Sequence, residues 1–416
     1  MRTEKVDTST NVVSVLEEVP ITERNDFNPF SQTSSKLIAG LRKECIEFRI
    51  RLNLAKLVVR NYRNPMRWLQ IIRTLDRRRR MFLGESRIKK IAKAGGKYYW
   101  DLYIPGWPSV TFDDFFEAEI SRIAPVSIKT NRFANIFIAI TKKCPLRCEH
   151  CFEWDALNGK EKLTLSDLKT IVQRFQERGT AQFQITGGEP MLRVNDILEI
   201  LKCSRQETQF WILTSGFNFT FENAKKLKDA GLTGVVVSLD HFEPEAHNLF
   251  RGFKNSFSWV ERAVGNSIAS NLATALSICV TKSFVTESNL MAYAELAKRM
   301  GVSFIQILEP KAVGHYKGME VSLKPEQERI LEAFYWKMNY DNKYLSYPIV
   351  SYHGYYQRRI GCFASGNRNL YIDTDGDLHA CPFCQTKIGS ALSENLDHSI
   401  QQLQSVGCHS FRNASI

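Results

Sequence analysis

Cys144, Cys148 and Cys151 stand in CxxxCxxC spacing within "TKKCPLRCEHCF". Three thiolates on one tight loop can hold three corners of a four-iron cluster. One iron then lacks a protein ligand, and a substrate or cofactor can chelate it. A zinc site is the alternative that the spacing leaves open. A second, looser group comprises Cys362, Cys381, Cys384 and Cys408, with Cys381 and Cys384 forming a CxxC. Cys45, Cys203 and Cys279 stand alone in apolar segments and are read as buried small hydrophobes. Ten cysteines in 416 residues do not make a disulfide scaffold, which belongs to short secreted chains.

The elements that would position these residues follow from periodicity. From Asn135 the chain alternates strand and helix. Strands are expected at 135–141, 182–186, 209–214, 234–239, 274–281 and 303–308, with helices between them at about 165–178, 195–203, 220–230, 257–270 and 287–300. Alternation of this kind implies a parallel sheet clad in helices, with catalytic groups gathered at the strand C-termini. The first cysteine loop follows the first of these strands directly. After about residue 320 the alternation is expected to stop. A helix at 324–339 then leads to a Cys-rich hairpin through "NLYIDTDGDLHAC".

Before Asn135 the composition changes. Residues 1–35 are polar and aperiodic and predict a disordered lead-in. Residues 36–97 hold 19 Lys/Arg against 4 Asp/Glu, a local balance of +15 that exceeds the formal net charge of +12 and leaves the rest of the chain slightly acidic at −3. A helix from about Ser35 to Arg63 presents a ridge at Ile46, Ile50, Leu54 and Val58. Asn64-Pro65 starts a second helix with Trp68, Ile71, Ile72 and Leu75 on one face. A hairpin over 91–104 turns at Gly95-Gly96, and a short helix at about 112–123 follows. Neither an apolar run of membrane-spanning length nor a secretory leader is present in this sequence, so a cytoplasmic protein is the expectation, with peripheral attachment at a membrane as the alternative.

The cysteine loop resembles the signature of the radical S-adenosylmethionine (SAM) superfamily, and later strand ends extend the likeness. "ITGGEP" resembles the turn that receives the methionine ammonium, which makes Gly187, Gly188, Glu189 and Pro190 cofactor-binding by resemblance. "LTSG" and "SLD" put Ser215, Ser238 and Asp240 where the family meets ribose and carboxylate. "FRG" offers Arg251 to the methionine carboxylate, and His150 holds the position that flanks adenine. The resemblance implies a partial (β/α)6 radical SAM barrel over 135–320; the basic helical and hairpin extension at 36–134 lies outside it. It implies reductive cleavage of SAM to a 5′-deoxyadenosyl radical, with flavodoxin or ferredoxin as electron donor. Over 321–416 the Cys…GxxxxC hairpin resembles the SPASM and Twitch extensions. Its four cysteines imply one auxiliary [4Fe-4S] cluster, with zinc as the rival; His409 is read as incidental. Glu309, at the sixth strand end, is a candidate proton acceptor set against a structural salt bridge.

The substrate is not written in the sequence; a peptide, a protein or a small molecule all fit. The basic block admits three readings: a helical pair docked on the barrel, an anchor on an anionic membrane surface, or a site for an acidic peptide. The membrane reading would make a lipid-like substrate credible. Nucleic acid fits less well, since no groove-reading or stacking motif accompanies the charge. Two rivals from other classes are a non-catalytic iron–sulfur protein and a zinc-stabilised binding module.

Overall fold

A computed structural model describes residues 36–83, 87–125, 132–362 and 365–408. The expected disorder of 1–35 and the reading of His409 fall outside these residues. The chain opens with β1 (Lys36–Ala39), α1 (Gly40–Asn61) and α2 (Pro65–Leu83). Between the helices, the Asn64 side chain accepts from the Met66 amide at 3.0 Å, capping the start of α2. Next come β2 (Lys90–Ala94), β3 (Lys97–Tyr99) and α3 (Val110–Ile123), the last capped by the Ser109 hydroxyl. The three strands form an antiparallel sheet in the order β1-β2-β3. Strand β1 was not legible, because "KLIA" runs without a break into a helical pattern. Ile71 is buried as expected of the α2 ridge, whereas Ile72 is exposed, because α2 buries a narrower stripe than its apolar content offers.

The alternating region follows as β4 (Asn135–Ala139), α4 (Leu165–Glu177), β5 (Gln182–Thr186), α5 (Val194–Cys203), β6 (Gln209–Thr214), α6 (Phe221–Asp229), β7 (Gly234–Ser238), α7 (Pro244–Arg251), α8 (Ser256–Ala269), β8 (Ala273–Cys279), α9 (Glu287–Arg299) and β9 (Phe304–Leu308). All six strands run parallel in sequential order, giving the expected partial barrel. Helix α4 is set by a capping box in which Thr164 and Asp167 satisfy each other's amides.

The sheet does not end with β9, contrary to the expected stop near residue 320. After α10 (Pro325–Tyr340), β10 (Ile349–Tyr352) pairs parallel to β9. Then come α11 (His353–Ile360), β11 (Asn369–Ile372), β12 (Asp377–His379), β13 (Gly389–Ser390) and α12 (Leu396–Val406). Strand β11 pairs parallel to β4 at the other edge, and β12 and β13 continue antiparallel. Strand β10 escapes a periodicity reading because its four residues are buried on both faces and so do not alternate.

Alternate residues of the strands face two cores. Ile136, Ile138, Phe183, Ile185, Ile212, Val235, Val237, Leu276 and Ile305 pack toward the helices. Trp211, Val236, Ala275, Phe304 and Ile349 face inward, where Ala92, Tyr99 and Leu102 of the N-terminal extension meet them. The hairpin segment of the extension thus plugs the interior of the sheet, whereas the buried stripes of α1 and α2 pack on the extension itself, against Ile91, Trp107, Phe112 and Ile120, and not on the barrel strands. Lys90 fixes the plug: its Nζ donates to the carbonyls of Tyr344 and Tyr347 at 2.7 and 2.6 Å. Burial lowers its pKa to about 7. Cys279 is buried as expected, but Cys45 and Cys203 are exposed, because each sits on the outward side of its helix. Among the described residues, no helix is long and apolar enough to cross a membrane.

Candidate active site

The loop after β4 carries Cys144, Cys148 and Cys151, and three segments that follow other strands clamp its backbone. At the β5 end, the Gly188 amide donates to the Thr141 carbonyl at 2.7 Å and the Glu189 amide to the Lys143 carbonyl at 2.8 Å. Gly187 has φ +140°, and a methyl group at Gly188 would lie 2.3 Å from the Lys143 oxygen. The cysteine loop itself therefore requires these glycines, whatever they offer a ligand. At the C-terminal end of α7, the Arg147 and Glu149 amides each donate at 3.1 Å, to the carbonyls of Arg251 and Phe250. At the β9 end, the His315 amide donates to the Cys151 carbonyl at 2.9 Å, and a methyl group at Gly314 would lie 2.2 Å from that carbonyl.

Glu189 joins two strand ends. Its carboxylate accepts from the Met191 amide at 3.0 Å, the Thr214 hydroxyl at 2.6 Å, and the Ser215 amide and hydroxyl at 2.8 and 2.6 Å. Burial raises its pKa against the pull of these donors. Ser215 is thereby committed to Glu189. Pro190 opens a short 3-10 turn that leads into α5. Ser238 ends β7 half-buried.

Asp240 and Arg251 form a buried pair at 2.5 Å. Asp240 also accepts from the Cys279 amide at 3.0 Å and lies 3.3 Å from His150 Nε2. Burial pushes its pKa up, but Arg251 and His150 outweigh that and hold it well below the usual carboxylate range. Arg251 Nη1 lies 3.5 Å from Cys148 Sγ, while its buried Nε has no hydrogen-bond partner among the described residues. Arg251, expected to meet a methionine carboxylate, is thus already held by Asp240 and Cys148, with Nε as its unused donor. His150 packs edge-on against Phe250 at 5.2 Å. Asp240→Asn would leave the Arg251 charge buried and without its counter-ion. The expected cost is about 3–5 kcal/mol, read as a lowered denaturation midpoint with an unchanged slope.

Glu309 is held by Tyr352 Oη and Arg358 Nη1, both at 2.6 Å, with Lys311 at 3.6 Å. Burial raises its pKa, but Arg358 and Tyr352 prevail and lower it. This is the salt-bridge environment, and it makes Glu309 a weak proton acceptor.

Cys362, Cys381, Cys384 and Cys408 come together around Ser365. Cys362 Sγ accepts from the Ser365 amide at 3.5 Å, and the Ser365 hydroxyl lies 4.0 Å from Cys384 Sγ. Cys381 and Cys384 are 3.3 Å apart, and Cys384 also hydrogen-bonds Cys408. Three contacts join this region to the first group. Phe152 and Phe383 meet at 6.1 Å, and Tyr371 Oη donates to the buried Glu153 carboxylate. Lys142 pairs with Asp375 at 2.5 Å across the same boundary.

Several of these partners had no signal in the sequence. His315 stacks on Trp154 at 3.7 Å with its Nδ1 3.1 Å from the Cys148 carbonyl, and buried His247 accepts from the Asp240 amide at 3.1 Å. Neither histidine has metal spacing. Only the sheet brings them to the loop.

The donor set fits a cluster with an open iron. The three thiols share one loop and pack beside Leu146, Phe217 and Trp259, with the Arg251 guanidinium next to the Cys148 sulfur. Among the described residues, no three His, Cys, Asp or Glu side chains form a single-ion site. A four-iron cluster needs none, since each thiolate takes a different iron.

Comparison with known proteins agrees with this geometry. Residues 138–308 match the model of the Radical SAM superfamily. GTP 3',8-cyclase of Shewanella denitrificans is 26% identical over 278 residues, which are 62% of this chain and 80% of the relative. The enzyme of the same name from Photorhabdus laumondii is 25% identical over 272 residues, 61% and 82% of the two chains. Among solved structures, Streptococcus suis SuiB bound to precursor peptide SuiA superposes with a TM-score of 0.54 at 13% identity, covering 73% of this chain and 72% of that one. At such identity the likeness is one of fold.

Proposed function

The chain carries a radical SAM domain at residues 138–308, and from that premise we propose that it takes hydrogen from a substrate held at the C-terminal mouth of the sheet. The carrying observation is the cysteine loop, fixed at that mouth by the turn after β5, the C-terminal end of α7 and the turn after β9. Cys144, Cys148 and Cys151 would hold the [4Fe-4S] cluster. When bound, that cluster supplies the electron that breaks a carbon–sulfur bond of SAM and releases the 5′-deoxyadenosyl radical. Arg251 holds Cys148, Asp240 holds Arg251 and His150, and Glu189 keeps the β5 and β6 ends in register. Backbone at Gly187 and Gly188 and side chains at Ser238 and His150 are the groups we assign to SAM. Cys362, Cys381, Cys384 and Cys408 would fill all four positions of an auxiliary cluster, which then serves electron transfer or support rather than substrate binding.

The relatives named above act on GTP by their names, but four of the cations around this mouth are already engaged by carboxylates. Lys142 pairs with Asp375, Arg251 with Asp240, and Arg358 and Lys311 with Glu309. A triphosphate would have to break such pairs. We therefore read the substrate as a peptide, a protein or an uncharged small molecule. The test is anaerobic reconstitution, then a dithionite assay for 5′-deoxyadenosine with and without GTP. Deoxyadenosine is expected, with no stimulation by GTP. Stimulation by GTP would overturn the substrate reading. No deoxyadenosine under any condition, cell extract included, would favour a non-catalytic iron–sulfur protein.

A further inference from the structure

Helices α1 and α2 present a surface for which the reaction has no use. Seven of the fourteen exposed large apolar side chains among the described residues lie between 41 and 72. On α1, Leu41, Phe48, Leu52 and Val59 follow at spacings of seven, four and seven. At about 100° per residue they fall within roughly 20° of one line along the helix. The buried residues Ile46, Ile50 and Leu57 occupy the opposite side, so this stripe is not a margin of the core. Leu41 is 87% exposed and Phe48 60%. Met66 and Leu69 are exposed on the first turn of α2, and Arg73, Arg77 and Arg80 are exposed further along it.

The charge around the stripe is of one sign. Residues 40–83 contain 13 Lys/Arg and 3 Asp/Glu. Those acids are spent inside the block: Glu44 and Glu47 pair with Lys43, and Asp76 pairs with Arg79 and Arg80. Arg42, Arg49 and Lys56 are exposed beside the stripe.

We propose that this face docks on an anionic lipid bilayer, with the apolar stripe entering the headgroup layer and the flanking Arg and Lys meeting lipid phosphates. The stripe is a ridge of single side chains along a helix, and a fluid bilayer accepts such a ridge without a matching groove. A second copy of the chain would oppose one strongly cationic face to another, which costs rather than gains energy. Anionic lipid supplies the complementary charge at every position along the helix.

The test is vesicle flotation with the full reconstituted chain. Binding is expected to vesicles in which about a third of the phosphatidylcholine is replaced by phosphatidylglycerol, and it should weaken with added salt. Phe48→Asp with Leu52→Asp should weaken it by about tenfold or more. Circular dichroism and SAM cleavage should not change, since neither residue approaches the cysteine loop. Should that variant misfold, Arg42→Glu with Lys56→Glu tests the same face through its charges. Equal flotation of wild type and variants would overturn the proposal, as would absence of binding to the anionic vesicles. A wild-type dimer that the variants dissociate would overturn it too, assigning the face to a second copy. Flotation and oligomeric state, the readouts that decide the proposal, do not depend on the proposed reaction.

Discussion

Replacing Cys144, Cys148 and Cys151 together with Ala is expected to abolish 5′-deoxyadenosine formation and to remove about half of the bound iron. The loop should keep its shape in that variant, because backbone groups clamp it: Gly188 and Glu189 bond to Thr141 and Lys143, and Arg147 and Glu149 bond to Arg251 and Phe250. Each substitution removes one sulfur, an ordinary perturbation of about 1 kcal/mol. A folded protein without cleavage is therefore the expected result. It should retain the absorption of an auxiliary cluster, since Cys362, Cys381, Cys384 and Cys408 lie on different elements. Cleavage that persists in the triple variant would show that the loop is not the catalytic cluster site.

The extent to which this site could be read in advance depended on sequence separation. Cys144 to Cys151, Gly187 to Pro190 and the strands that carry them are local features, and local spacing is what periodicity and motifs record. The six strands of the barrel appear close to the expected bounds, because each is a short apolar run set between capped helices. Strands β1 and β10 were missed for opposite reasons. One merges into a helix, and the other is buried on both faces and does not alternate. The partners of the functional residues were beyond reach. Arg251 is 103 positions from the Cys148 thiol it approaches, and Arg358 is 49 from Glu309. Only the closing of the sheet shows that Ser215 serves Glu189, that Glu309 sits in an ion-pair cluster, and that residues 90–102 fill the interior. Composition flagged the basic block without saying which face of it would stay exposed.

The second large effect is expected at the C-terminal cysteines. Cys381→Ser with Cys384→Ser should lower iron from about eight to about four per chain, with 5′-deoxyadenosine formation retained. The iron falls because these two thiols lie at the centre of the group, Cys384 bonding both Cys381 and Cys408. Cleavage survives because the catalytic loop takes its backbone clamps from the turn after β5, the C-terminal end of α7 and the turn after β9. The surrounding structure should survive as well. Leu370, Ile372, Leu378, Leu396, Ile400 and Leu403 are buried in the main apolar core, and each such side chain contributes about 1.5–3 kcal/mol without any metal. Substrate turnover is where loss should appear, since Phe152–Phe383 and Tyr371–Glu153 tie this group to the catalytic loop. If the variant instead loses zinc and keeps all its iron, the auxiliary site is a zinc site. The electron-transfer role assigned to it would then fall, while the catalytic assignment would stand.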